Sequence, residues 1–348
     1  MKLNINITDP LSFPGWDSLI LACPGHSFFH SSAWARVLCE SYDYTPNYFT
    51  VVDQDELAAL VPFMEIRSML TGRRGVSLPF SDSCNPIIKE GISFHELFDQ
   101  VVAHGKKYKW DSLELRGGEK YFYNITPSAY YFRHTLNLSQ DEEQIFKGFR
   151  DSTRRNIKKA ISEGVNVQRS NSFESVKAFY QLNCITRKEH GLPPQPFYFF
   201  EKIYTHIISK DHGFVVLASN KKKIIAGSIF FHAGDQAMYK YGASDKKFQH
   251  LRANNLVMWE AVKWYGKAGY RNFCFGRTEP ENQGLRQFKN GWGTREDIIK
   301  YYTYDLKNDT FKDKDKGQNN HMFYNKVFKR CPVSALRIVG SLLYRHIG

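Results

Sequence analysis

The chain has 348 residues, of which 42% are hydrophobic and 15% aromatic, with 48 Lys and Arg against 35 Asp and Glu. This composition excludes a disordered or low-complexity polypeptide, and the length suits two domains of ordinary size, each with its own core. The net charge of +13 calls for an anionic partner, whether nucleic acid, a nucleotide-linked substrate or a membrane surface.

Read along the chain, Met1 to Asn6 has no continuous apolar run, so no secretory leader is expected, and no later run reaches the roughly 18 residues of a membrane span. Trp34, Val37, Leu38 and Tyr42 recur at helical spacing and predict a helix near 32–42. Tyr48 to Val52 and Leu57 to Met64 read as a hairpin around Asp53-Gln54-Asp55. A helix over Phe94 to His104 and strands at Ser112 to Arg116 and Tyr130 to Leu138 complete a first domain over 1–138. Ser139 and Glu142 form a capping box that opens the second domain, 139–306. A basic helix follows with Ile157, Ala160, Ile161 and Gly164 on one face, then a strand from Val165 to Arg169 and a helix start at Asn171 to Glu174. Pro193, Pro194 and Pro196 break the chain before another helix through Ile208.

From Gly213 onward the pattern alternates cleanly, with strands at 213–219, 223–233 and 236–243 split by turn formers at 220–222 and 234–235. A helix from Ala253 to Lys267 stacks Val257, Ala261 and Trp264 and stops at Gly269. A strand, a helix and a last strand at 298–305 close the unit, followed by a charged linker at 307–318. The final segment, 319–348, reads as an amphipathic helix with Leu336, Val339, Leu342 and Leu343 on one stripe and five Lys or Arg with no acid. Docking of that stripe on the first domain is expected, with membrane-surface attachment as the other use of such a helix. Six widely spaced cysteines suit reduced thiols in the cytosol, and the histidines supply one isolated i,i+4 pair, His26 and His30, so no metal is expected.

The most informative stretch is Phe275-Gly276-Arg277-Thr278, followed ten residues later by Phe288-Lys289-Asn290-Gly291-Trp292-Gly293 and then Tyr301-Tyr302. This order resembles the end of the FemAB-like transferases of the GNAT superfamily. Arg154 to Ala160 with Gly164-Val165, and Tyr241-Gly242-Ala243-Ser244 before the long helix, extend the resemblance over 150–304. It implies an α/β fold of two GNAT-like domains, each a mixed, mostly antiparallel sheet flanked by helices. It further implies an acyl- or aminoacyltransferase acting on an amine of a cell-envelope or polysaccharide precursor, as in peptidoglycan biogenesis, by direct attack. No tightly bound cofactor is implied; the donor is aminoacyl-tRNA or acyl-CoA. The protein would be cytoplasmic, with tRNA and a peripheral contact at the inner membrane face as further partners; oligomeric state stays open. Two departures stand out. A lysine found shortly after the tryptophan in peptidoglycan-branching members is Leu38 here, and the glycine-rich pyrophosphate loop of CoA-dependent relatives reads Gln249 to Asn255 with no glycine.

Within that frame Lys289 is the leading catalytic residue, an exposed turn cation able to stabilise an oxyanion, with Tyr241 as a proton donor to the leaving group. Arg277, Phe288 and Trp292 are expected to bind substrate beside Lys289. Arg252, Asn254 and Asn255, before the long helix, sit where backbone N–H groups attract anions. Arg154 and Lys158, four apart on the basic helix, repel each other unless an anion lies between them. A CoA-dependent N-acetyltransferase, and a basic RNA- or membrane-surface-binding protein without catalysis, are the alternatives.

Overall fold

The computed structural model describes residues 3–313 and 321–348, with residues 321–324 as backbone. Part of the expected linker, 314–318, and the first two residues of the expected C-terminal segment lie outside the described residues. The chain forms two compact units, Met1–Tyr131 with Ile298–Gln318 and Leu342–Gly348, and Phe132–Asp297 with Asn319–Ser341.

The first unit contains strands β1 (Asn6–Thr8), β2 (Thr45–Asp53), β3 (Glu56–Ser68), β4 (Gly72–Val76), β5 (Ile87–Ile88) and β6 (Ser112–Arg116), with helices α1 (Trp16–Ala22), α2 (Ser32–Tyr42) and α3 (Phe94–Lys107). The second contains most of β7 (Ala129–Asn137), with β8 (Asn166–Ser170), β9 (Gly213–Asn220), β10 (Lys223–Ala233), β11 (Gln236–Ser244) and β12 (Asn272–Thr278). Its helices are α4 (Glu142–Lys147), α5 (Asp151–Ser162), α6 (Phe173–Glu189), α7 (Phe197–His206), α8 (Ala253–Lys267) and α9 (Gln283–Asn290). Strands β13 (Arg295–Asp305) and β14 (Thr310–Phe311) and helices α10 (His321–Arg330) and α11 (Val333–Ile347) follow.

The two units repeat one pairing scheme. In the first, β1, β2, β3 and β4 run antiparallel in succession, β4 pairs β6 in parallel, and β6 pairs β13 antiparallel. In the second, β8, β9, β10 and β11 run antiparallel, β11 pairs β12 in parallel, and β12 pairs β7 antiparallel. A parallel neighbour needs a crossover, and α3 and α8 supply it. Each unit has its own core: Phe49, Phe63, Leu97, Trp110 and Tyr302 in the first, and Phe214, Phe230, Val257, Tyr265, Phe273 and Trp292 in the second.

The differences from the sequence reading have local causes. The division falls at 131–132 rather than 138–139, and the whole strand expected at 298–305 to close the second domain belongs to the first unit. Tyr301–Asp305 there pairs with Arg116–Ser112. Thr310–Phe311, read as linker, pairs with β13 and sends Phe311 against Phe98, Phe122 and Tyr304. The cap of α4 is Asp141, not Ser139; its carboxylate accepts from the N–H groups of Glu143 and Gln144. Ile161 points to solvent, while Ile157 and Ala160 are buried. Of the C-terminal segment only Leu342–Gly348 groups with the first unit, where the backbone carbonyls of Tyr344 and Arg345 accept from the Tyr44 hydroxyl. Asn319–Ser341 groups with the second, and there Arg337 lies over the Tyr180 ring.

Candidate functional site

The second unit holds a cavity of about 390 Å³. Its wall takes Arg150, Ser152, Thr153 and Asn156 from the start of α5, Arg252 to Asn255 from the start of α8, and Gly284, Gln287, Phe288 and Gly291 from α9. Ile225 and Ala226 of β10, with Ser244, Asp245, Phe248 and Gln249 after β11, complete it. The first turns of two helices therefore meet one space, and neither is capped by a side chain. Uncapped first-turn N–H groups and the aligned helix dipoles favour an anion, and Arg150 and Arg252 add cations. The acid on the wall, Asp245, is occupied: its carboxylate pairs with Lys223 at 3.2 Å and accepts from the Lys247 N–H. Arg252 holds φ at 57°, a left-handed conformation rare for a long side chain, so the loop makes its turn without a glycine. Asn254 is steadied by donating from Nδ2 to Ser244 Oγ at 3.2 Å.

Close backbone packing brings these pieces together. A Cβ on Gly291 would lie 2.5 Å from Thr153 Oγ1, and one on Gly293 would lie 2.7 Å from the Gly148 carbonyl. With no Cβ at either position, the end of α9 lies against the start of α5, and Arg150 donates its N–H to the Gly291 carbonyl at 3.0 Å. Between the two glycines Trp292 is fully buried, ringed by Phe149, Phe275 and Phe288.

Lys289 is buried too, at 2% exposure, and donates from Nζ to the carbonyls of Gly276 (3.1 Å) and Arg277 (2.8 Å). Those carbonyls lie where β12 breaks register with β7, between Cys274 and Arg277, and Gly276 has φ of 71°. The ammonium thus pins an irregular strand to α9. A cluster beside it went unread in the sequence. Glu296 receives two bonds from Arg286 (2.7 and 2.6 Å), one from Asn290 (3.2 Å) and one from His134 Nε2 (3.0 Å). The hydrogen-bonded Arg286 guanidinium holds the Glu296 carboxyl down to about 2. Burial, reinforced by Lys289, lowers the His134 pKa, so its neutral ring donates to the carboxylate. The i,i+4 spacing of Arg286 and Asn290 on α9 was the available signal.

Residues 147–290 match the family model described as acetyltransferase (GNAT) domain. A lipid II:glycine glycyltransferase of Staphylococcus haemolyticus (strain JCSC1435) is 22% identical over 227 residues, 45% of this chain and 54% of that protein, so the chain spans about half the length of this curated relative. The solved structure of FemX superposes with a TM-score of 0.67 at 15% identity, covering 85% of this chain and 96% of FemX. A tandem GNAT protein from the clavulanic acid biosynthesis pathway superposes at 0.57, with 8% identity over 87% of this chain and 98% of its own. Residues 147–290 thus resemble a GNAT acetyltransferase domain, and the chain has a fold like that of FemX. The fold likeness also accords with the repeated pairing scheme of the two units.

The expected site residues divide sharply. Arg252, Asn254, Asn255 and Phe288 line the cavity. Lys289, expected in an exposed turn, is interior and off the cavity wall, because the carbonyls of the β12 irregularity require a donor. Trp292 is core and lies off this cavity's wall, since the flanking glycines fold it inward. Tyr241 packs its ring against Phe199, Phe200 and Phe231, and is likewise off the wall. Arg277 is half-buried on β12, Arg154 pairs with Asp151, and Lys158 is exposed; none lines the cavity. Thr153, Asn156, Gln249 and Gln287 do, and were missed: polar residues in helical first turns and faces carry no local signature of a shared wall. Among the described residues no group of three His, Cys, Asp or Glu side chains is placed to hold a metal ion, and no helix is long and apolar enough to cross a membrane.

Proposed function

We propose that the protein transfers an activated aminoacyl or acyl group to an amine of a cell-envelope precursor, with a phosphate of the donor held where α5 and α8 begin. The observation that supports this reading is the pair of uncapped helix starts facing one cavity with Arg150 and Arg252. The acceptor amine attacks the donor's ester or thioester carbonyl directly, a new amide forms, and the tRNA hydroxyl or CoA thiol departs with the proton the amine loses. Lys289 serves as a positioning residue, fixing α9 and its cavity residues Gln287 and Phe288 against the Gly276–Arg277 turn.

Aminoacyl-tRNA is the favoured donor, in keeping with the +13 charge and the name of the glycyltransferase relative. That relative's name also supports a lipid-linked cell-wall precursor as acceptor and hence a cytoplasmic protein with peripheral membrane contact. Acyl-CoA is the second reading, favoured by one feature: Arg252 gives the loop before α8 the left-handed turn that glycine otherwise supplies. The test incubates the purified protein with labelled aminoacyl-tRNA or acyl-CoA and either a UDP-linked or a lipid-linked muropeptide. Mass spectrometry should show one added residue per acceptor. Transfer from neither donor, with no binding of inorganic pyrophosphate, overturns the reading.

A further inference from the structure

We infer that the outward face of α11, together with the exposed side of α10, docks on a lipid bilayer carrying anionic headgroups. The inference deepens the membrane contact in the reading above by naming the surface that makes it. Helix α11 has two apolar rows, not the single stripe expected. One is occupied within the protein: Leu336, Gly340 and Tyr344 are buried and Val339 and Leu343 half-buried. The other is not. Ile338 and Leu342, one turn apart, remain 64% and 63% exposed, with Arg337 and Arg345 exposed alongside. Leu342, assigned to the buried stripe from sequence, belongs to this outer row. Helix α10 repeats the mixture, exposing Lys326, Lys329 and Arg330 with Val327 at 45%. From residue 319 to 348 there is no Asp or Glu.

A bilayer surface satisfies both halves of this mixture at once. Aliphatic side chains one turn apart enter the boundary between headgroups and acyl chains, and Lys and Arg reach outward to lipid phosphates. A nucleic acid would engage the cations and leave Ile338 and Leu342 in water, which is why lipid is the better match. Neither aliphatic needs to leave the protein core for this contact, so docking of the inner row and binding by the outer row coexist.

The experiment is co-sedimentation of the full chain with vesicles of phosphatidylcholine alone or mixed with phosphatidylglycerol. The parent protein should partition onto the anionic vesicles only. Lys326→Glu with Lys329→Glu should weaken that partition by roughly tenfold or more, since each basic residue contributes near a charged leaflet. Ile338→Asp with Leu342→Asp should weaken it similarly without lowering the melting temperature, these side chains being exposed already. If the aspartate pair lowers melting, Ile338→Gln with Leu342→Gln gives the same readout in a neutral, helix-compatible form. No partition by the parent, or partition untouched in the aspartate and glutamine pairs, overturns the inference. So does a charge reversal that abolishes binding of bulk tRNA while vesicle binding persists, which would assign the surface to RNA. Sedimentation needs no turnover, so the transferase reading and this one can fail separately.

Discussion

Helices α3 and α8 hold the same place in their respective units, each carrying the chain from one strand to its parallel neighbour, yet they begin in opposite ways. Ser93 caps α3 by accepting from the Glu96 N–H, and Glu96 itself sits in the first turn, so the donors and the dipole are answered within the chain. Helix α8 opens at Arg252 with no side-chain cap and no acid in its first turn. The first arrangement closes a helix end, whereas the second leaves one free to meet a ligand, and a cavity stands in front of it. One pairing scheme thus serves two purposes, and the difference lies in a few residues at one helix start rather than in the sheet.

The sharpest way to break the contrast is to remove what holds the open end together. Trp292→Ala should destabilise the second unit by about 3–5 kcal/mol, as for other buried aromatics, and urea unfolding would measure it. A loss below about 1 kcal/mol would mean that the glycine-flanked tryptophan does not hold α9 against α5. Lys289→Ala should cost roughly 2–4 kcal/mol, because two charge-assisted bonds vanish and two interior carbonyls lose a donor. This reverses the expectation for an exposed turn lysine, whose loss would alter turnover and leave melting unchanged.

Glu296→Gln tests the cluster behind the cavity through its pH dependence. The Glu296 carboxyl titrates at about 2 in the folded protein against an ordinary 4.5, so its contribution is complete above about 4.5 and fades as pH falls towards 2. The parent should therefore exceed the Gln variant by on the order of 2 kcal/mol at neutral pH, with the gap closing in acid. His134, whose pKa is also lowered, adds acid sensitivity of the same sign, its contribution fading as pH falls below the ordinary 6.5. Denaturant midpoints at pH 7, 4 and 2.5 for both proteins would reveal a gap that stays constant, the outcome contrary to this account.

The smallest effects compare the two helix starts directly. Ser93→Ala should cost about 1 kcal/mol, the usual value of a lost cap, and leave pyrophosphate binding unchanged. Arg252→Gly should instead gain up to about 1 kcal/mol, since glycine adopts the left-handed φ without strain, while weakening pyrophosphate binding by removing a cation. Calorimetric titration with pyrophosphate beside thermal melts separates the two; weaker binding in the serine variant would erase the distinction between the closed and the open end.

What the sequence determined by itself was the succession of elements in the second unit. Periodicities of two and 3.6 and the turn residues at 220–222 and 234–235 act over a few neighbours, and β9, β10, β11 and α8 lie where those signals put them. Tertiary structure alone decided which cations face the cavity. Lys289 and Arg252 look alike in the sequence, but one is drawn inward by two carbonyls that a break in the β12 register turns towards it. Thr153 and Gly291 are far apart along the chain, and only the missing Cβ of the glycine lets them meet on one wall. Burial of a charge and convergence of a wall depend on groups supplied by distant segments, and no local pattern encodes where those segments will be.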